Sequence, residues 1–350
     1  MNNGNTRPLA LWLFTVAAAV YIMILLGGAT RLTGSGLSIT EWKPILGVIP
    51  PLDDRDWQQA FEKYQQYPQY RIDNPDMSLA EFKGIYLWEY FHRLWGRAIA
   101  LIFAVPLLVF WMQRRIPKGF GGKLIFLFVL GGLQGALGWF MVQSGLVDKP
   151  WVSPFRLMLH LLLALFLFSF LLWLALGLWA VRPGQRPPGL RLAGIVAHLL
   201  LMLLALQMAL GALTSGLHAA LVYPTFPAMA GHLVPPGLFN QAHWWLDFLQ
   251  NAATAQFFHR WVGMLFAAGC LYFWFCSRSA VVSRRFTVAR HLLAGLVLAQ
   301  IVLGVVTLAH SLGRIPLHAA LTHQGVAVAL LAVLIVLFYD LRYGGPVVEK

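Results

Sequence analysis

Eight long apolar runs follow one another along the chain, each interrupted by a shorter polar or basic segment. They lie near residues 9–29, 86–112, 123–143, 155–181, 190–215, 256–277, 288–310 and 317–340. A hydrocarbon core of about 30 Å takes roughly 20 helical residues to cross, so each run predicts a membrane-spanning helix. Strands of a membrane barrel would instead alternate apolar and polar positions over about ten residues, and no segment does so. The first run ends in Gly27-Gly28-Ala29-Thr30-Arg31 and passes into a long polar loop. It therefore predicts a retained span rather than a cleavable leader. The pattern implies an all-α membrane protein with eight transmembrane helices.

Composition agrees. Hydrophobic residues make up 59% of the chain and charged residues 11%, whereas soluble domains carry about 25% charged residues. The mean hydropathy is +0.68. A formal net charge of +13 would suit nucleic acid, but the basic residues form no single patch. They cluster in alternate connections: Arg114, Arg115, Lys118 and Lys123, then Arg182, Arg186 and Arg191, then Arg278, Arg284, Arg285 and Arg290. Short-loop Lys and Arg mark the cytoplasmic side. Both termini are thus expected in the cytoplasm, with loops 30–85, 144–154, 216–255 and 311–316 outside. Cys270 and Cys276 sit within one apolar run and offer neither a disulfide framework nor zinc-ligand spacing. They read as core residues.

The chain also repeats itself. Glu89-Tyr90-Phe91-His92-Arg93-Leu94-Trp95-Gly96 matches Gln256-Phe257-Phe258-His259-Arg260-Trp261-Val262-Gly263. Leu133-Gln134-Gly135-Ala136-Leu137-Gly138, ahead of His160, matches Ala299-Gln300-Ile301-Val302-Leu303-Gly304, ahead of His323. Each unit holds an even number of spans, so the second re-enters the membrane in the orientation of the first. The reading is two parallel-repeat four-helix bundles, residues 1–181 and 182–350, related by an axis along the membrane normal.

Equivalent residues then share a depth. His92 and His259 fall at the outer ends of the second and sixth spans, and His160 and His323 near the outer ends of the fourth and eighth. A single histidine in such a place would be read as bonding a helix carbonyl. Four at repeat-related positions argue for ligands, because polar groups in spans are costly and face the bundle interior. Two imidazoles per half, with no thiolate or carboxylate cage, suit the axial positions of haem better than bare zinc or copper.

Arg31, Arg93 and Arg260 are candidate partners for the carboxylates of such a group. Arg97, one turn beyond Arg93, reads equally well as snorkelling to the interface. Glu89 shares a helix face with His92 and is a candidate acid–base group, while its repeat partner Gln256 cannot titrate. A bridge from Glu89 to Arg93 is the structural alternative. Gly131, Gly132, Gly135 and Gly138 read as close helix packing. His218, His232 and His243 share an outer loop without a ligand-like spacing.

The motifs resemble one family closely. Arg31-Leu32-Thr33-Gly34-Ser35-Gly36-Leu37-Ser38-Ile39-Thr40-Glu41-Trp42-Lys43-Pro44-Ile45 is similar to the first outer loop of the haem A synthases. Trp88-Glu89-Tyr90-Phe91-His92-Arg93-Leu94-Trp95-Gly96-Arg97, Gly131–Trp139, Met141–Leu146 and Tyr223-Pro224-Thr225-Phe226-Pro227 resemble that family as well. The resemblance covers nearly the whole chain and is strongest in its first half. It is to the mitochondrial and proteobacterial branch. Another branch has a cysteine pair in the first outer loop, and residues 30–85 here contain no cysteine.

The resemblance implies oxidation of a ring methyl of haem O to a formyl group, giving haem A for terminal oxidases. By the same resemblance His92 and His160 would frame haem O with Arg31 and Arg93, and Glu89 would be the essential carboxylate. His259 and His323, with Arg260, would hold a haem b cofactor through its iron. Haem O synthase, the terminal oxidase assembly system and membrane lipid are the implied partners, in a bacterial cytoplasmic (inner) membrane. A homo-oligomer is compatible with this reading, and nucleic acid is not a partner. The rival is a bis-histidine cytochrome b passing electrons to or from quinone, which needs no Glu89/Gln256 asymmetry.

Loop charge makes the orientation testable. An alkaline phosphatase fused near residues 60, 150, 235 or 313 is expected to be active, and inactive near 118, 186 or 284. Activity at residue 118 overturns the assignment.

Overall fold

The computed structural model describes residues 6–42, 46–179, 190–280 and 282–344. Lys43-Pro44-Ile45 of the first-loop motif, Arg182 and Arg186 of the fourth connection, and both chain ends lie outside the described residues. In chain order the helices are α1 (Arg7–Leu32), α2 (Asp54–Tyr64), α3 (Pro68–Asp73), α4 (Leu79–Met112), α5 (Gly121–Gln143) and α6 (Pro154–Trp179). There follow α7 (Arg191–Gly216), α8 (Ala219–Val222), α9 (Trp244–Gln250), α10 (Ala252–Ser277), α11 (Arg284–Ala309) and α12 (Leu317–Tyr343). No strand occurs among the described residues beyond an isolated bridge between Met229 and His232.

Seven of these helices are long and apolar enough to cross a membrane: α1, α4, α5, α6, α7, α11 and α12. The chain is a multi-pass membrane protein. The eighth expected span, α10, is as long as its neighbours. Arg260 and the interfacial aromatics Trp261, Tyr272 and Trp274 reduce its apolar character.

Sequence ends and caps explain the boundaries. Helix α4 begins well before the apolar run predicted from residue 86, because its first turns are polar and capped. The Ser78 hydroxyl accepts from the Glu81 amide at 3.3 Å, and the Glu81 carboxylate accepts from the Ser78 amide at 2.8 Å. This reciprocal capping box ends the loop and starts the helix outside the membrane. Those extra turns pack against α2, where Phe61, Tyr64 and Phe82 are buried among Trp57, Tyr70 and Tyr86. The first long loop is therefore partly a folded helical cap. Burial in this cluster raises the Tyr64 phenol above its ordinary pKa. On the second long loop, the Asn251 side chain accepts from the Ala253 amide at 2.9 Å and starts α10.

The repeat partners α1 and α7, α4 and α10, α5 and α11, α6 and α12 occupy corresponding places. Helices α1, α6, α7 and α12 meet at the centre, where one apolar core crosses from the first half into the second. Helices α4, α5, α10 and α11 flank it and turn apolar side chains outward, among them Leu101, Val105, Phe126, Val129, Leu271 and Leu298. Lipid tails are as apolar as leucine, so such helices are held by close packing and interhelical hydrogen bonds rather than by exclusion from water. The Trp12 indole donates to the Ile102 carbonyl at 2.9 Å and the Trp95 indole to that of Ala19 at 2.9 Å, joining α1 to α4. The Gln324 amide donates to the Ile24 carbonyl at 2.8 Å, and Tyr21 to that of Gly325 at 3.2 Å, joining α1 to α12 across the halves.

At the face opposite the long loops, Asp340 of α12 is buried and paired with Arg285 of α11. Removing one member of a buried pair strands the other charge. Asp340→Ala is expected to lower the stability of the detergent-solubilised protein by about 3–5 kcal/mol, read as a lower thermal midpoint. Adding Arg285→Leu is expected to recover part of the loss. An unchanged midpoint for the single variant would show that the pair does not hold α11 to α12.

Candidate functional site

Each of the four histidines rests against a glycine of the neighbouring helix. His92 on α4 faces Gly27 of α1, and His160 on α6 faces Gly138 of α5. His259 on α10 faces Gly211 of α7, and His323 on α12 faces Gly304 of α11. A methyl group at these glycines would lie 3.0, 2.9, 3.0 and 3.0 Å from the respective imidazole Cε1. Any side chain there would push the ring away, so glycine sets the ring position. His92 and His160 come within electrostatic reach of one another, as do His259 and His323. The four sequence-predicted histidines thus form two pairs, one in each half.

A second element escaped the sequence reading. One turn before three of these glycines stands a glutamine: Gln134, Gln207 and Gln300. The Gln207 amide nitrogen lies 3.1 Å from His259 Nδ1, and those of Gln134 and Gln300 lie 3.5 and 3.4 Å from Nε2 of His160 and His323. Gln134 also donates to the His160 carbonyl at 3.0 Å. Before Gly27 the corresponding residue is Met23. A search for Gln-x-x-x-Gly would have found all three seats and shown the fourth as the exception. The glycine-rich stretch of α5 also needs correction. Among the described residues a methyl at Gly131, Gly132 or Gly135 would meet nothing within 4 Å, so these three do not bring α5 close to another helix of this chain. Gly138 alone of the four makes a tight contact, with the histidine.

The rim of the first site is built around Glu89, which is buried. Its Oε1 accepts from Arg93 Nη2 at 2.6 Å and Nε at 3.1 Å. Its Oε2 accepts from the Ser38 hydroxyl and the Ile39 amide, both at 2.8 Å. The bridge weighed as the structural alternative is present, and four donors converge on the carboxylate. Such an arrangement holds an anion. Arg93 reaches further, donating to the carbonyls of Ile39 at 2.7 Å and Glu41 at 3.0 Å. It pins the first long loop over that end of α4.

The second site repeats this scaffold with the opposite polarity. Arg260 donates to the carbonyls of Tyr223 at 3.0 Å and Thr225 at 2.7 Å, holding the second long loop as Arg93 holds the first. Gln256, also buried, donates to the Tyr223 carbonyl at 3.2 Å where Glu89 accepts. Arg31, in the last turn of α1, donates to the Ser215 carbonyl at the end of α7 and so ties the two halves together. Of the loop histidines, His218 caps α8 beside Trp151, and burial lowers its pKa below the ordinary value. His232 and His243 are exposed and join none of the pairs.

The donor set fits an axially ligated macrocycle. Each half offers two imidazoles, and Nδ1 of His92 is buried without a hydrogen-bond partner among the described residues. No group of three or more His, Cys, Asp or Glu suited to a bare metal ion occurs among the described residues.

Fold and site together define a class: a polytopic helical membrane protein with two repeat-related imidazole pairs near one membrane face. The chain belongs to the family described as cytochrome oxidase assembly protein, whose model matches residues 10–335. It is similar to the "Heme A synthase" of Nitrosospira multiformis, 43% identical over 339 residues, covering 96% of this chain and 94% of that one. The "Heme A synthase" of Beijerinckia indica subsp. indica is 44% identical over 344 residues, covering 97% and 94%. That of Mesorhizobium japonicum is 44% identical over 320 residues, covering 91% and 86%.

Proposed function

We propose that this chain is a haem A synthase, a membrane oxidoreductase that converts a ring methyl of haem O to the formyl group of haem A for terminal oxidases. The observation that carries this reading is the pairing of two like-built imidazole sites of which only one has a carboxylate at its rim. Residues 1–181 would form the substrate half, with haem O between His92 and His160. Residues 182–350 would form the cofactor half, with haem b held by His259 and His323. When bound, haem b supplies a relay for the electrons that methyl oxidation releases. A cytochrome that only passes electrons has no use for the difference between Glu89 and Gln256. Both termini would lie in the cytoplasm of a bacterium, the histidine pairs near the outer face of its inner membrane. Haem O synthase and the oxidase assembly system are the fitting partners for delivery and acceptance of the pigment.

The chain's own residues act by holding and by charge. Arg93 and the first outer loop close over the rim of the substrate half and limit water there. Glu89, one turn from His92, would place a fixed negative charge beside the reacting edge. Positive charge developing on the substrate as electrons leave is stabilised by such an anion. To accept a proton, Glu89 must give up part of its contact with Arg93. Arg31 and Arg93 are engaged with backbone and carboxylate, so their part toward haem O is to position helix ends and loop. Arg260 does the same in the cofactor half.

Substitution of the histidines separates the halves. His259→Ala or His323→Ala is expected to abolish the bound haem b spectrum, since a residue that would hold its iron is lost. His92→Ala or His160→Ala is expected to leave that spectrum and stop conversion of haem O. Equal bleaching of one pigment by all four variants overturns the two-site reading.

Glu89 needs a control, because glutamine there turns an N–H toward existing donors. Glu89→Gln is expected to reduce haem A formation by about 10²–10⁴-fold. Ser38→Ala, which keeps the charge and deletes one donor, is expected to cost no more than about tenfold. Similar losses in the two variants would make Glu89 an anchor for the loop and nothing more.

A further inference from the structure

The two imidazole pairs differ in what holds Nδ1. In the second half His259 Nδ1 lies 3.1 Å from the Gln207 amide, and His323 Nδ1 lies 3.1 Å from the Gln300 backbone carbonyl. In the first half Nδ1 of His92 is buried and has no hydrogen-bond partner among the described residues.

For the α4 and α10 histidines the difference comes down to one side chain. The ring seats are alike: a methyl on Gly27 would lie 3.0 Å from His92 Cε1, and one on Gly211 would lie 3.0 Å from His259 Cε1. The neighbouring contact is alike too. A methyl on Gly96 would meet Met23 Cε at 3.2 Å, and one on Gly263 would meet Gln207 Nε2 at 2.9 Å. Met23 and Gln207 therefore fill the same place in the two halves. A thioether is at best a weak acceptor, while an amide both donates and accepts.

A histidine that binds a metal through one ring nitrogen is oriented through the other, and the hydrogen bond there raises its basicity. We infer that Gln207 is a positioning residue that makes the second site a resident haem site, and that Met23 leaves His92 unheld so that the first site exchanges its haem. This rests on the two-site reading proposed above. The geometry allows the bond an iron-bound His259 needs. Ligation through Nε2 puts the proton on Nδ1, and a half-turn of the Gln207 amide presents Oε1 to it. That oxygen has no other partner among the described residues. At His323 the Gln300 carbonyl, which can only accept, already fixes Nδ1 as the donor.

The difference suits the two tasks. A cofactor that relays electrons must stay through many turnovers, whereas a substrate must enter and its product must leave. With identical backbone seats, exchange has to be set by side chains around the ligands. The absence of a bond at Nδ1 weakens ligation at the first site without altering the fold.

The test uses the full-length protein in detergent with excess apomyoglobin as haem acceptor, followed in the Soret band. Gln207→Met is expected to speed loss of haem b by about 10–100-fold. Gln207→Glu, which restores an acceptor for Nδ1–H, is expected to release haem near the wild-type rate and to lower the midpoint potential of the retained haem. Met23→Gln is expected to slow release from the first site by a comparable factor. Wild-type release from Gln207→Met overturns the inference, as does failure of Gln207→Glu to restore retention. A protein whose haem survives His259→Ala overturns the two-site reading, and this inference with it.

Discussion

The contact of an imidazole edge with a bare glycine backbone is the constraint on which the rest of the structure depends. A histidine placed within a span must sit where its ring is enclosed by protein. Here the enclosure is the adjacent helix, brought so close that only glycine fits under the ring. The seat recurs in the pairs α1–α4, α5–α6, α7–α10 and α11–α12, so it fixes the spacing of every long helix against one partner. The interhelical bonds of Trp12, Trp95 and Gln324 then hold α1 against helices from both halves. The shared core of α1, α6, α7 and α12 follows from this arrangement: the seated pairs place these helices inward, and their apolar surfaces close on one another.

The long loops are built on the same frame. Arg93 and Arg260 follow the α4 and α10 histidines directly in sequence, and each turns its guanidinium to carbonyls of the preceding loop. The loop is thereby registered to the helix that bears the histidine. In the first half the carboxylate of Glu89 takes part, accepting from the loop and from Arg93 together. In the second, Gln256 donates to the loop instead. The carboxylate therefore has a structural duty that its neighbours make visible, and any chemical duty is added to an anion already fixed in place.

Much of this was legible in the sequence because the signals are periodic or repeated. Apolar runs of span length gave the long helices, and the internal match of His92-Arg93 with His259-Arg260 gave the correspondence of α4 with α10. Helix α10 was legible by its place in the repeat although its own apolarity is marginal. The start of α4 was not, since a capped polar turn outside the membrane carries no apolar signal. The cap of α2 and α3 was lost for the same reason, being amphipathic and short. The arginines were assigned by chemistry that suits carboxylates, but loop carbonyls also satisfy a guanidinium, and sequence does not say which are near. The four-glycine stretch of α5 looked like a packing motif; only the position facing His160 is one.

Duplication gives the site its own internal control. Backbone seats and ring poses are held in common, so a difference in behaviour between the halves must arise from the few side chains that differ around them. Two such places stand out: Glu89 against Gln256 at the rim, and Met23 against Gln207 beside the α4 and α10 histidines. The first changes charge at the rim, and the second changes the hydrogen bonding available to a buried imidazole. These act on separate quantities, the energy of a charged species at the rim and the orientation of a ring. One fold, built twice, thus presents two unlike sites with no change in how the helices pack.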